Sequence, residues 1–349
     1  MACTQIPEAI TTALIAGIHP MYALQATWLM NVITALIGGR PGMISGSTTF
    51  IGVSLIGLVN EHGYEYVFYA VLFAGFLQMN FGLLGMGSLT RFIPFPVVQG
   101  FANAMALVIL GAQFRFGKVF TDQLYAQRHL VEAGHSWAHI TDKGGEWNGA
   151  TEVGILSGHV ALAFLICMFL PKITRAVPST FVALFVCTFV EHIFIRTPTS
   201  LESALVGDYA EVKIPTLKPI WANGDIALPP FNLDTFRKVY LYGLAVFGSG
   251  ICESLLTTHI VDDLTEIKGV KNRVAFAQGI ANMFIASFGG MGGGASIGQS
   301  IVANHSDGIT CLCTFIAGAC MLLFVYAAPA AVTIIPLGAV AGVMTWGVS

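Results

Sequence analysis

Charge is what this sequence has least of. Lys, Arg, Asp and Glu make up 10% of its 349 residues, where a soluble domain carries about a quarter. Too little is left to cover a water-facing surface of ordinary polarity. The formal net charge of -3 comes with no basic run, which excludes a nucleic-acid partner. The cysteines at 3, 167, 187, 252, 311, 313 and 320 all lie in apolar stretches without metal-ligand spacing. They read as small packing residues rather than a disulfide framework or a metal site. A basic leader is lacking too: the first apolar stretch has no positive n-region and contains Glu8, so a cleavable signal peptide is not expected.

Two motifs lack the context that would give them meaning. Gly294-Ala295-Ser296-Ile297-Gly298 fits the G-x-S-x-G nucleophile elbow, and Gly290-x-Gly292-x-x-Ala295 resembles a dinucleotide fingerprint. Both need a strand-to-helix turn inside alternating β and α elements, and no such alternation surrounds them. His135 and His139, with His129 and Glu132 nearby, read as a solvated helical turn rather than a zinc site. The expectation is therefore no catalytic residue, no metal, no cofactor and no enzyme.

What is present is apolar sequence, 55% of the chain. A helix crossing the hydrocarbon needs roughly 20 apolar residues. Full-length candidates run over 6–20, 21–38, 66–87, 94–115, 153–171, 174–195, 236–260, 272–290, 309–328 and 331–347. Two shorter segments, 45–60 and 296–304, follow glycine-rich runs and read as half-helices. Polar stretches at 116–150 and 197–235 read as solvent loops. If the first helix enters from the cytoplasm, Arg40, Arg91, Lys172, Arg175, Lys268, Lys271 and Arg273 fall inside, and the connection with Glu61 and Glu65 falls outside, as the positive-inside bias requires.

The most informative feature is a self-similarity between residues 6–60 and 250–304. Pro7-Glu8-Ala9-Ile10-Thr11-Thr12 and Cys252-Glu253-Ser254-Leu255-Leu256-Thr257 each place a carboxylate four residues before a threonine, on one helical face. Each is followed by another span and a glycine-rich break, Gly38-Gly39-Arg40-Pro41-Gly42 leading to Ser45-Gly46-Ser47-Thr48, and Gly289-Gly290-Met291-Gly292-Gly293-Gly294 leading to Ala295-Ser296. Paired broken segments in corresponding halves point to a transporter site near the midplane. Each half-helix then offers amide groups and the positive end of its dipole, and two such ends make an anion site without a basic side chain. The alternative is that the glycines only permit close helix packing, but packing alone does not require a repeat. A charge at the bilayer centre costs at least about 2.5–3.5 kcal/mol, so Glu8 and Glu253 are candidates for a functional role, with protonation coupled to a nearby anion. Glu8 can also be read as interfacial, being close to the start. Asp262, Asp263 and Glu266 are expected in a cytoplasmic loop.

On these residues the chain resembles the SulP (sulfate permease) family of anion transporters. The resemblance extends through Pro7-Glu8-Ala9-Ile10, Glu253-Ser254-Leu255-Leu256-Thr257, Val261-Asp262-Asp263-Leu264-Thr265, Asn272-Arg273, Gln278-Gly279-Ile280-Ala281-Asn282, Phe288-Gly289-Gly290-Met291 and Ile297-Gly298-Gln299-Ser300. It implies an all-α membrane protein with inverted seven-span repeats, a core domain moving against a gate domain, and substrate between the third and tenth half-helices. Carried over by position, Glu8, Thr12, Ser47, Thr48, Thr257, Ser296, Gly298 and Gln299 line the substrate site, and Glu253 is the coupling residue. Many family members have Arg at the position of Gln299, and a bacterial subgroup shares Ile-Gly-Gln-Ser.

The implied division is 1–115 for the first-repeat core and the start of the gate spans, 116–152 for an extracellular loop, and 153–196 for gate spans. A second loop follows over 197–235, then second-repeat core spans over 236–328 and the start of a second gate region over 329–349. The chain ends inside an apolar helix, so a fold truncated at about the twelfth span, without a STAS domain, is expected. The function this implies is secondary active transport of a small inorganic anion by alternating access in the plasma membrane, sulfate first and bicarbonate next. A proton, or failing that sodium, would be coupled, and the full-length protein would be a homodimer in the lipid bilayer. A nucleobase–proton symporter of the same fold and an uncoupled anion channel are the rival readings; the first is disfavoured because 295–304 contains no carboxylate.

Overall fold

The computed structural model describes residues 1–87, 149–173, 179–197, 228–327 and 333–348, with scattered positions between them. Most of the expected span 94–115, the loop containing His129, Glu132, His135 and His139, and much of 197–227 lie outside the described residues. The expected zinc-free reading of that loop therefore has no structural counterpart here.

The first half opens with α1 (Ala2–Ala16), which ends on Gly17 in the left-handed conformation with its amide bonded back to the last turn. Helix α2 (Pro20–Ile37) begins with proline at its first position, and the ring of His19 accepts the Met21 amide at 3.2 Å. The chain then unwinds into the two-residue strand β1 (Ser45–Gly46) before rewinding as α3 (Thr49–His62) and returning as α4 (Glu65–Leu83). Helix α5 (Ala150–Ile173) and α6 (Ser179–Val190) follow, α6 continuing into a π-helical segment, Glu191–Arg196. The second half repeats the order of the first. It runs α7 (Leu233–Thr265), α8 (Lys271–Ser287), β2 (Gly294–Ala295), α9 (Ile297–His305) and α10 (Cys311–Ala327), and α11 (Leu337–Val348) comes last among the described elements.

Five of the described helices are long and apolar enough to cross a membrane: α2, α4, α5, α6 with its π-helical extension, and α7. Large apolar side chains such as Phe185, Leu241 and Leu312 face outward on this bundle, as they would against lipid. Polar residues point inward instead: Gln5, Asn31, Gln78, Glu253, Gln278 and Asn282 are all buried. The α4–α8 crossing is close because it is made by small residues. A Cβ at Gly279 would stand 2.3 Å from the Met79 nitrogen, and one at Gly82 would stand 2.5 Å from the Phe276 nitrogen. These glycines do serve packing, and they are not the ones in the breaks.

Several of the basic residues gather at one end of the bundle. Arg40 and Lys268 line one cleft, Arg273 lies against Gly38, and Asn272 meets the end of α4. Glu65 opens α4 and so lies at its other end, about 28 Å away at 1.5 Å per residue. One expectation is corrected. Asp262 and Asp263 are not loop residues but belong to the last turns of α7, which is 33 residues long. At about 50 Å that helix exceeds a hydrocarbon core of roughly 30 Å, so its end continues past the apolar stretch that marked the span. Glu266, in the left-handed conformation, is its C-cap.

Candidate functional site

The two breaks meet. Strands β1 and β2 pair antiparallel, with Ser45 opposite Ala295 and Gly46 opposite Gly294, and the Ser296 amide extends the ribbon by donating to Ile44 O at 3.0 Å. Two residues beyond β1, Thr48 caps α3; directly beyond β2, Ser296 caps α9. The segments expected as half-helices therefore start side by side from one ribbon. The ribbon can close this tightly because no side chain stands in it: a Cβ at Gly293 would lie 2.5 Å from the Gly46 carbonyl oxygen. Gly292 has φ +87, a conformation open to glycine at little cost.

Neither cap residue turns its hydroxyl back onto its own helix. Each donates to a carboxylate of the other repeat. Thr48 Oγ1 donates to Glu253 Oε2 at 2.6 Å, and Ser296 Oγ donates to Glu8 at 3.1–3.2 Å. Gln299 Nε2 also donates to Glu8, and to Thr4 O at 3.4 Å. Thr257 Oγ1 donates within reach of Glu253 O (2.8 Å) and Ala295 O (3.0 Å), tying α7 to β2. Its counterpart Thr12 packs its methyl against α3 at Gly52, and its buried hydroxyl has no hydrogen-bond partner. The hydroxyls of Ser47 and Thr49 and the amide oxygen of Gln299 are likewise buried without a partner.

In the first turn of α9 the amides of Ile297, Gly298 and Gln299 have no acceptor among the described residues. A Cβ at Gly298 would meet nothing within 4 Å, so the space in front of this turn is open. Two helix ends of about half a positive charge each therefore converge beside two carboxylates. No Lys or Arg among the described residues bonds to any of these groups, and no cluster there has the composition to hold a metal ion. All the residues expected at the site (Glu8, Thr12, Ser47, Thr48, Glu253, Thr257, Ser296, Gly298 and Gln299) lie on the ribbon, the two half-helices, or the helices α1 and α7 packed against them.

Several residues that build the site were not among those the sequence led us to expect at it. Asn31 on α2 and Asn282 on α8 hold equivalent places in the two repeats. Asn31 Oδ1 accepts the Ser45 amide at 3.1 Å, and Asn282 Oδ1 accepts the Gly293 amide at 2.8 Å. Each thus fixes the backbone three residues before a half-helix cap. Gln5 bridges Asn31 and Ser45 O, Thr27 Oγ1 accepts the Ser47 amide, and Gln78 accepts from Asn282. Arg40, at the first break, donates through Nε to Asp262 at 2.8 Å and through Nη2 to Val261 O and Ile267 O. It clamps that break to the end of the helix bearing Glu253. A polar side chain in the middle of an apolar span was the available signal for Asn31 and Asn282.

Comparison with known proteins agrees with this architecture. A family model described as "Sulfate permease family" matches residues 1–348. The chain is 33% identical over 347 residues to "Putative sulfate transporter YbaR" of Bacillus subtilis, an alignment covering 99% of this chain and 63% of that protein. It is 23% identical over 355 residues to "Bicarbonate transporter BicA" of Picosynechococcus sp., covering 98% of this chain and 58% of the relative. It thus spans about three-fifths of the length of these curated relatives. Among solved structures, the transmembrane domain of a cyanobacterial bicarbonate transporter BicA superposes with a TM-score of 0.77 at 22% identity, covering 99% of this chain and 86% of that domain. That likeness establishes the fold as an all-α, inverted-repeat transporter fold with two half-helices.

Proposed function

This chain belongs to the sulfate permease family, a family of multi-pass membrane transporters rather than enzymes, and we propose that it carries a small inorganic anion across the plasma membrane by secondary active transport. The observation that carries the reading is the meeting of two half-helix tips on one ribbon, each tip next to a buried carboxylate.

The anion sits in front of the α3 and α9 tips, held by the amides of Ile297, Gly298 and Gln299 and by the hydroxyls that now face no partner, those of Ser47, Thr49 and Thr12. Dipole ends and oriented amides stabilise a negative charge in a water-poor site without a mobile counter-ion. The carboxylates hold the caps. A proton on Glu253 removes its negative charge from the neighbourhood of the incoming anion, so occupancy by proton and anion is linked. This is the basis for symport with Glu253 as the coupling residue. Sodium is the second candidate, because the oxygens of Glu253, Thr48, Thr257 and Ala295 lie close together. Sulfate is the first candidate anion and bicarbonate the next. The names of the sulfate- and bicarbonate-transporting relatives support both. Alternating access by movement of core against gate, and dimerisation of the whole protein, complete the proposal.

The test is uptake of labelled sulfate and bicarbonate into vesicles containing the full-length protein, with and without a pH gradient or sodium. Glu253→Gln should keep exchange down a concentration gradient and lose acceleration by the coupling ion. An unaltered response to the pH gradient and to sodium would remove Glu253 from the coupling role. No uptake of either anion by the unaltered protein would reject these two substrates.

A further inference from the structure

Helix α7 meets the ribbon and the first break along two adjacent rows of residues, 253–257–261–265 and 254–258–262, each at i, i+4 spacing. At the ribbon end Glu253 accepts from Thr48, Thr257 donates to Ala295 O, and Ser254 Oγ accepts the Ala295 amide at 3.4 Å. One turn further on, Thr258 Oγ1 lies 3.7 Å from the Met43 sulfur. At the far end both rows finish on one side chain, Arg40.

The guanidinium of Arg40 is buried, its side chain 3% exposed, and it is fully engaged. Nε donates to Asp262 Oδ1 at 2.8 Å, Nη1 donates to Pro41 O, and Nη2 donates among Val261 O, Thr265 Oγ1 and Ile267 O. Asp262 Oδ1 also accepts the Gly269 amide at 2.8 Å. The arginine thus grips the last turns of α7 and, through Ile267 and Asp262, the connection that follows. That connection is open on two flanks: clefts of about 620 and 430 Å³ adjoin it, and Lys268 and Gly269 line both. It closes on the arginine because residue 269 is glycine, where a Cβ would stand 2.7 Å from Arg40 Cγ.

The break itself has other anchors. Asn304 donates to Gly42 O at 2.8 Å, Thr314 donates to Met43 O at 2.9 Å, and Ser300 Oγ accepts the Ile44 amide at 2.9 Å. These side chains belong to α9 and α10. Weakening the grip of Arg40 therefore leaves the break in place and frees the end of α7, and a helix transmits that displacement along its axis to Glu253.

We propose that Arg40 is a positioning residue for Glu253: by fixing the end of α7 against the first break, it sets the Thr48–Glu253 bond about 14 Å away along the helix, and with it the coupling. The bond from Ser296 to Glu8 joins α9 to α1 and lies outside this control. The effect on coupling rests on the role proposed for Glu253; the effect on the bond does not.

The experiment uses the full-length protein and Arg40→Lys, which keeps the charge but replaces a planar fork by a point charge with three donors. Melting temperatures are measured in detergent for this variant, for Thr48→Val and Ser296→Ala, and for the two double variants. Changes more than about 10 Å apart with no shared partner ordinarily add. The expected result is that Arg40→Lys and Thr48→Val together lower the melting temperature by less than the sum of their separate shifts, while Arg40→Lys and Ser296→Ala add. Additivity in both pairs, or an equal shortfall in both, would overturn the proposal. In vesicles, Arg40→Lys should lose most of the acceleration of labelled sulfate or bicarbonate uptake by a pH gradient or sodium. Its half-saturating anion concentration should stay near that of the unaltered protein, because the amides of the α9 tip are untouched. A loss of folded protein alone would lower driven and undriven uptake equally, and that result would also overturn the proposal. If Glu253→Gln leaves the ratio of driven to undriven uptake unchanged, the coupling role of Glu253 fails and the melting temperatures alone decide on Arg40. Should Arg40→Lys not fold, Thr265→Val removes one acceptor of the guanidinium and keeps the ion pair, and the same two pairings are measured with it.

Discussion

Substituting Gly293 by alanine tests the ribbon directly. The new Cβ would lie 2.5 Å from the Gly46 carbonyl oxygen and 2.9 Å from its carbon, where ordinary contact begins at 3.4 Å. The obstacle is backbone on both sides, so no flexible side chain can step aside. The strands must separate by roughly 0.9 Å, and overpacking of this kind costs about 1–3 kcal/mol. No additional penalty arises from φ, since Gly293 is not among the residues with positive φ. The displacement passes to Ser296 three residues on, whose bond to Glu8 is already 3.1–3.2 Å long. A misplacement near 1 Å of aligned groups lowers rates by roughly 10²-fold. Uptake into vesicles should fall by that order while the protein still folds, as judged by its melting temperature. Gly298→Ala is the companion variant. Its Cβ meets nothing, and alanine favours helix by about 1 kcal/mol, so stability should hold or rise while anion uptake falls. A Gly293→Ala protein with the uptake rate and half-saturating anion concentration of the unaltered protein would refute the reasoning.

Thr48→Val removes a hydroxyl from Glu253 and should lower stability by about 1–3 kcal/mol, read by thermal unfolding. Ser296→Ala should cost less, because Gln299 still donates to Glu8. Arg40→Met leaves Asp262 without its ion-pair partner and should destabilise by about 3–5 kcal/mol, whereas the double change Arg40→Met/Asp262→Leu should recover part of the loss. Asn31→Leu and Asn282→Leu each strand a buried amide, at Ser45 or Gly293, for about 1–3 kcal/mol. Their effects should fall short of additive, since both act on one ribbon.

The half-helices were legible in the sequence because glycine-rich runs interrupt apolar segments at matching places in two copies, and the structure brings 49–62 and 297–305 together as that pattern implied. Glu8 and Glu253 were legible as carboxylates in apolar stretches. Which cap each would hold was not. The exchange of partners between repeats depends on the strands crossing, and nothing in the spacing of Glu8 and Thr12 or of Glu253 and Thr257 encodes it. That exchange also separates the two threonines, one bonded to β2 and the other packed by its methyl on α3. The last turns of α7 were read as loop because hydropathy marks the lipid-facing part of a helix, and Asp262 lies beyond it. The π-helical segment after α6 left no trace in composition, since it differs from the α-helix before it by a single inserted register step.

Because the acid that completes each tip is donated by the opposite half, neither half has a finished pocket of its own. A fragment ending after α4 would carry Glu8 with no Ser296 to meet it and Thr48 with no Glu253. Only the complementary piece, from α7 onward, brings Ser296 and Glu253 to meet them. The covalent chain thus behaves as a dimer joined by a tether: cut in the connection before α7, it should lose its ribbon when the pieces are kept apart and regain it when they are mixed.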